Sequence, residues 1–311
     1  MSRLDVTVAI CTFNRAALLE KTLLSMTALR APADLTWELL VVDNRCTDRT
    51  RDVCARFADR LPIRVLAEDV AGLSNARNRA LGAAMGGHII FTDDDVLLDE
   101  DWLSAFVAAT RRWPNAAAFG GPIAPLFPLE PDPDLLLAFP VLANGFCGLD
   151  YGRDEGPLPP EALVFGANMA YRLDAIAGLI FDPHLGHTGG VPLGGEDAQF
   201  VRRVRQQGGE LIWCPGMRLK HYVEPSRMTL EYLLLYHRAA GARAVRMAGT
   251  PVAPTLFGAP RWLWCAYVET YLKYAACRLA GRRRPALERL RDHSYYGGAL
   301  GALRHLQARS A

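Results

Sequence analysis

No stretch of 18 residues in this 311-residue chain is free of Asp, Glu, Lys and Arg, which argues against a membrane-spanning helix. Cysteine is sparse and unpatterned: Cys11, Cys46, Cys54, Cys147, Cys214, Cys265 and Cys277 are odd in number and contain no CxxC spacing. They read as small apolar residues in a reducing compartment, not as a disulfide framework or a zinc site. Charge of one sign is not in excess either. A formal net charge of +2 argues against a dedicated nucleic-acid binder. The first residues hold no charged segment leading into an apolar one, so no secretory signal is expected and the cytoplasm is the predicted location. Glycine is missing from one telling place. The first apolar run, Val6 to Cys11, leads into Thr12-Phe13-Asn14-Arg15, where a dinucleotide fold needs glycines for the pyrophosphate to approach the backbone. A nicotinamide or flavin dehydrogenase is therefore not expected.

What is present alternates between two periods. Short β-branched runs at Val6–Cys11, Glu38–Val42, Ile63–Leu66 and His88–Thr92 suit buried strands. Between them, Arg15–Leu29, the stretch after Thr47-Asp48, and Asn75–Met85 carry apolar residues at helical spacing. The pattern predicts an α/β fold with a mainly parallel sheet flanked by helices, in which ligands collect outside the carboxyl ends of the strands. From about Gly120 to Pro160 the chain is crowded with proline, as a loop-rich insertion with some antiparallel strand would be. A helix is expected over Glu196–Gln207 and a strand over Glu210–Cys214. Beyond Pro225, two long helices are expected, Met228–Met247 and Arg261–Leu279.

Polar clusters sit at the predicted strand ends. Thr12, Asn14 and Arg15 either edge a nucleobase or simply begin a helix. Asp43 can accept from a uracil imide, or can close a turn capped by Thr47 or Asp48. Helix entry at Ser74 or Asn75 offers free backbone N–H groups, and Arg77 or Arg79 is within reach of a diphosphate. The sharpest signal is Asp93-Asp94-Asp95: three adjacent carboxylates repel one another unless a cation compensates, and hard ions such as Mn²⁺ and Mg²⁺ take oxygen ligands. His221 can complete that site through a ring nitrogen. Gly194-Gly195-Glu196-Asp197 places two acids at a helix start behind flexible glycines. One of them can take a proton from an acceptor hydroxyl.

Taken in order, the runs Val8–Arg15, Val41–Asn44, Gly72–Asn78, Asp93–Asp95, Gly166–Met169 and Gly194–Asp197, with His221, resemble family 2 glycosyltransferases of the GT-A fold. The set looks closest to bacterial members serving polysaccharide assembly, including succinoglycan-type enzymes, and it covers Val6 to Arg227. The resemblance implies an inverting, metal-dependent transferase acting on a nucleotide-diphospho-sugar, a UDP-sugar, and a glycan or lipid-linked acceptor. It implies that Thr12, Asn14 and Asp43 hold the base, that Arg77 lies near the donor diphosphate and that Asp93 contacts the nucleotide. Asp95 would then ligate the metal and Asp197 would be the base, with Asp94 the variable middle acid. Many relatives have Pro and Tyr where this chain has Cys11 and Phe13; neither position needs to do chemistry.

The expected division is residues 1–226 as the catalytic domain, with a nucleotide-sugar half to 95 and an acceptor half after it, and 227–311 as a helical region. That tail is basic: from Tyr271 onward nine Lys/Arg stand against Glu288 and Asp292. Trp262 and Trp264 with Arg278 and Arg282–Arg284 suit either a helix at an anionic membrane surface or one packed on the domain. Two other functions share part of the pattern. A nucleotidyltransferase has strand-end carboxylates and a metal but also a Gly-rich, basic first loop, which this chain lacks. An inactive nucleotide-sugar-binding scaffold would have lost Asp95 or Asp197, and both are present.

Overall fold

The structure, a computed structural model, describes residues 4–139, 146, 148–186, 194–248 and 255–308. They fall into two compact units, Met1–Leu126 with Leu149–Tyr222 and Phe127–Gly148 with Val223–Ala311. Six of the cysteines are described and all six are free thiols. Cys147 lies outside the described residues.

The first unit opens with regular alternation: β1 (Leu4–Thr12), α1 (Ala16–Met26), β2 (Trp37–Asp43), α2 (Thr50–Phe57), β3 (Ile63–Ala67), α3 (Leu73–Ala83) and β4 (Gly86–Thr92). Val8, Ala9 and Ile10 in β1 and Leu39 to Val42 in β2 are fully buried, as strands covered on both faces must be. These four strands are parallel, in the order β3-β2-β1-β4. Then follow β5 (Val96–Leu98), α4 (Trp102–Arg112), β6 (Ala118–Gly120), β7 (Ile123–Leu126), α5 (Pro133–Ala138, in the second unit), β8 (Gly156–Pro157), β9 (Asn168–Arg172), α6 (Glu196–Gln206), β10 (Leu211–Trp213) and β11 (Leu219–Tyr222). The large sheet continues from β4 as β9-β6-β10-β8, with β9 antiparallel to both neighbours and β10 parallel to β6. Trp102, Phe106, Phe119, Tyr171, Phe200 and Trp213 fill its core and are almost inaccessible to solvent. A smaller sheet, β5-β11-β7, is what positions the site: in it His221 lies opposite Val96, next to the acidic run.

The second unit is helical. A hairpin of β12 (Thr255–Leu256) and β13 (Ala259–Pro260) lies between α7 (Leu230–Ala248) and α8 (Arg261–Leu279), and α9 (Arg283–Ala308) follows. The sequence places α9 within a helical region but does not single it out as a long helix, and Gly297, Gly298 and Gly301 lower its helix propensity. Packing explains the helix. A Cβ on Gly298 would fall 1.8 Å from the Arg238 carbonyl oxygen, and one on Gly241 would fall 1.9 Å from that of Tyr295. The glycines let α7 and α9 approach backbone to backbone, and dispersion along that contact outweighs the propensity loss. Arg283 donates to Asp134 (2.8 Å) and to Asp132, joining the start of α9 to the first turn of α5. Among the described residues no helix is long and apolar enough to cross a membrane.

Candidate active site

The parallel register brings the predicted residues together. Thr12 at the end of β1 pairs with Asp43 at the end of β2, and Ile10 pairs with Thr92, so Asp93–Asp95 emerge beside the end of β1. Thr12 donates to Asp94 Oδ2 at 2.6 Å, and Arg15 donates to Asp94 Oδ1 (3.1 Å) and Asp95 Oδ2 (2.7 Å). Asp94 therefore faces into the protein and ties the two strand ends. Burial and the neighbouring Asp95 push its carboxyl up to about 7. Asp43 accepts from the Cys46 N–H (2.7 Å) and from Arg51 Nε (2.6 Å). Burial would raise its carboxyl, but those two donors outweigh it and hold the group below the usual range. Asn14 adopts φ of 53° and accepts from the Thr47 N–H at 2.7 Å, so Thr12, Asn14 and Asp43 form one braced wall.

Asp93, Asp95 and His221 form the second part. One ligand-type atom from each lies within 4.8 Å of the others. His221 Nε2 is 3.5 Å from Asp93 Oδ2 and 3.2 Å from Asp95 Oδ1. His221 Nδ1 is 3.0 Å from the Tyr222 carbonyl oxygen, which can only accept, so Nδ1 carries the proton. In the neutral ring Nε2 then presents a lone pair toward two carboxylates. Asp95 Oδ1 is buried and accepts no hydrogen bond. An orphaned buried carboxylate oxygen, a second carboxylate and an imidazole lone pair suit a hard or borderline divalent cation, so these residues fit Mn²⁺ or Mg²⁺. When Nε2 is protonated as well, His221 donates to Asp93, and that bond and the Arg77 charge carry the Asp93 carboxyl down to about 2 against the effect of burial.

The third part joins α3 to α6. Arg77 has a side chain only 3% exposed; its guanidinium is 2.8 Å from Glu196 Oε1 and 3.8 Å from Asp93 Oδ1. It also lies over the Phe91 and Phe181 rings at 5.9 and 5.5 Å. So Glu196 and Asp197, adjacent in sequence, have different partners. Glu196 is neutralised by a buried arginine. Asp197 accepts from the backbone N–H groups of Gly166 (3.1 Å) and Ala198 (2.7 Å). Burial and the Glu196 charge push the Asp197 carboxyl up to about 6, against the pull of Arg77. Gly195 begins α6 at φ of 95°, a left-handed backbone that favours glycine. Asn75, in the first turn of α3, donates to the Ala71 carbonyl at 3.0 Å. Arg79 is exposed, whereas Arg77 is enclosed.

Two residues gain a physical reason that patterning alone does not supply. A Cβ on Gly166 would fall 2.1 Å from Arg77 Nη2, so the guanidinium occupies the space a side chain would need. Asn168 is fully buried, accepts from Trp102 Nε1 at 2.9 Å and donates to the Met217 and Pro122 carbonyls at 2.7 and 3.1 Å. It is a structural crosslink behind the site. Its run, Gly166–Met169, is one of those that carry the family resemblance, and a polar residue inside an apolar run is a further signal that marks it.

Residues 7–127 match the family described as Glycosyl transferase family 2. Among characterised proteins, the chain is 27% identical over 240 residues to succinoglycan biosynthesis protein ExoM of Rhizobium meliloti (strain 1021), covering 74% of this chain and 71% of that one. It is 33% identical over 132 residues to validoxylamine A glucosyltransferase of Streptomyces hygroscopicus subsp. jinggangensis (strain 5008), covering 42% of this chain and 31% of that enzyme. Among solved structures, mannosyltransferase PcManGT from Pyrobaculum calidifontis, in complex with GDP-Man and Mn²⁺, superposes with a TM-score of 0.60 at 19% identity, over 96% of this chain and 88% of that one. S. aureus TarS 1–349 in complex with UDP-GlcNAc does so with a TM-score of 0.56 at 14% identity, over 94% and 91%. The expected fold is thus the observed one, a GT-A fold, and residues 7–127 are similar to glycosyl transferase family 2.

Proposed function

We propose that this protein is an inverting, metal-dependent glycosyltransferase that moves a sugar from a UDP-sugar to an acceptor hydroxyl on a glycan or lipid-linked saccharide. The observation that carries the reading is the meeting of Asp93, Asp95 and His221 at the strand ends that also bear Thr12, Asn14 and Asp43. Asp95 and His221 would hold Mn²⁺ or Mg²⁺, which when bound offsets negative charge on a departing diphosphate. Asp93 lies on the open side of that cluster, 31% exposed at its side chain against 1% for Asp95, and is the acid available to the nucleotide. Asp197 takes the acceptor proton as the hydroxyl oxygen attacks the anomeric carbon and the bond to the diphosphate breaks on the opposite face. A carboxyl raised to about 6 suits this task, being ionised at neutral pH yet more basic than a free aspartate. Glu196 and Arg77 act as positioning residues: their ion pair holds the start of α6 to α3 beneath Asp93.

The relatives, a succinoglycan biosynthesis protein and a validoxylamine A glucosyltransferase, support this reading, as do structural neighbours in complex with GDP-Man and Mn²⁺ and with UDP-GlcNAc. The proposed setting is the cytoplasm, at the inner face of the plasma membrane, in polysaccharide or glycolipid assembly. The test is a panel of UDP- and GDP-sugars scored for slow hydrolysis with and without Mn²⁺. Metal-dependent release from a UDP-sugar is the expected result. Preference for a GDP-sugar would correct the nucleotide, and no metal-dependent hydrolysis of any donor would sink the assignment.

A further inference from the structure

The helix α8 is apolar on more than one side. Leu263 and Thr270 are buried, and Trp264 and Tyr267 pack against the cluster of Ala259, Leu300 and Leu303. Its other side carries Trp262 (58% exposed), Val268, Tyr271, Leu272 (62%) and Leu279 (91%), and the preceding hairpin tip adds Leu256 and Phe257 (77%). Seven of the sixteen strongly exposed large apolar side chains among the described residues therefore lie between 256 and 279. An exposed apolar patch of this extent marks an interaction surface.

Charge decides what covers it. Arg261, Arg278 and Arg282 are exposed on or next to α8, as is Lys273, which pairs with Glu269, the one acid of that helix. A second copy meeting the first through this face would bring two cationic rims together, whereas a surface of anionic headgroups over an apolar layer complements both features. The helix cannot span such a layer, so it would lie in its plane. We infer that the exposed side of α8, with the Leu256–Phe257 tip, is an interfacial anchor that seats the helical unit on an anionic lipid bilayer. This deepens the proposed setting of the enzyme by naming the surface that reaches the membrane. It also changes which arginines matter. Arg283 is committed to Asp132 and Asp134 and Arg284 to Glu288, so the three consecutive arginines are in part internal ties.

The experiment is co-sedimentation of the full chain with vesicles of phosphatidylcholine alone or mixed with phosphatidylglycerol, at low and high salt. Wild type should pellet with the anionic vesicles and much less with the neutral ones. Phe257→Ser/Leu272→Ser/Leu279→Ser alters only exposed side chains and should weaken partitioning about tenfold or more at every salt concentration. Lys273→Gln/Arg278→Gln/Arg282→Gln should weaken it roughly fivefold per charge at low salt and leave little salt dependence. Both variants should keep wild-type hydrolysis of a soluble donor, so failure here is separable from failure of the transferase assignment. Absence of binding to anionic vesicles would overturn the anchor. So would a wild-type dimer in light scattering that the apolar substitutions disperse, since the face would then belong to a second copy.

Discussion

Two groups of adjacent acids, Asp93–Asp95 and Glu196–Asp197, look alike in sequence and are treated differently by the fold. At the end of β4 the three carboxylates diverge. Asp94 turns inward to Thr12 and Arg15, while Asp93 and Asp95 converge on His221 with one oxygen of Asp95 unsatisfied. At the start of α6 the two acids are sorted by one arginine, which neutralises Glu196 and leaves Asp197 to backbone N–H groups. The first group is reached by Arg15 and Arg77 and still leaves one buried Asp95 oxygen unpaired, whereas in the second Arg77 pairs with Glu196 alone. Partners, not residue type, set the role of each acid.

That contrast can be broken first at Asp197. Asp197→Asn should lower transfer by about 10²–10⁴-fold, the reach of a general base, with donor affinity unchanged in calorimetry. Because its folded carboxyl is raised to about 6, ionised Asp197 costs stability that is regained as pH falls through that value. The variant should therefore melt at a higher temperature than wild type at neutral pH. Loss of transfer with a lowered Tm would instead point to damage at the start of α6.

Next in size is Asp95→Ala, expected to weaken Mn²⁺-dependent UDP binding by roughly a hundredfold while the fold persists, since the metal loses a buried ligand. Equal UDP affinity of the variant with and without Mn²⁺, matching wild type with Mn²⁺, would remove the cation from this end of the comparison. A conservative partner test is Asp94→Asn, which keeps the Thr12 contact and should leave metal-dependent binding intact.

A third test addresses the cation between the two groups. Gly166→Ala forces a methyl group into the space held by the Arg77 guanidinium, and overpacking of this kind costs about 1–3 kcal/mol. The expected result is a lower midpoint in urea and reduced transfer, both recovered in part by Gly166→Ala combined with Arg77→Lys. The smallest effect is a shift in pH profile. The kcat/KM of wild type should rise with pH through about 6 as Asp197 ionises, and Glu196→Gln should move that midpoint downward. Removing the neighbouring negative charge favours the ionised form, and so does freeing the charge of Arg77. An unmoved midpoint would mean that another group controls the profile.

Much of this was legible in the residues. Alternation of period two and period 3.6 marked β1 to β4 and α1 to α3 with errors of a few residues at their ends, because buried strands and amphipathic helices announce their burial pattern locally. The acidic runs were legible for the same reason: they interrupt apolar strands where folding alone would not place them. Less legible were the extent of α9, which the sequence places only within a helical region, and the commitment of Arg77 to Glu196, a pair 119 residues apart.

Patterning by itself therefore determined the strand and helix sequence of the first unit, and with it which polar residues lie at the carboxyl ends of parallel strands. Only tertiary structure decided which of them meet. His221 reaches Asp95 because β11 pairs with β5, and the Tyr222 N–H donates to the Asp95 carbonyl at 2.8 Å. Arg77 serves two acidic groups because burial between Phe91 and Phe181 leaves it no solvent in which to disperse its charge. The apolar side of α8 is exposed because packing against α9 covers only part of the helix's apolar surface. Local periodicity encodes burial within an element; pairing across more than a hundred residues depends on how the elements fit, and no window of sequence contains that.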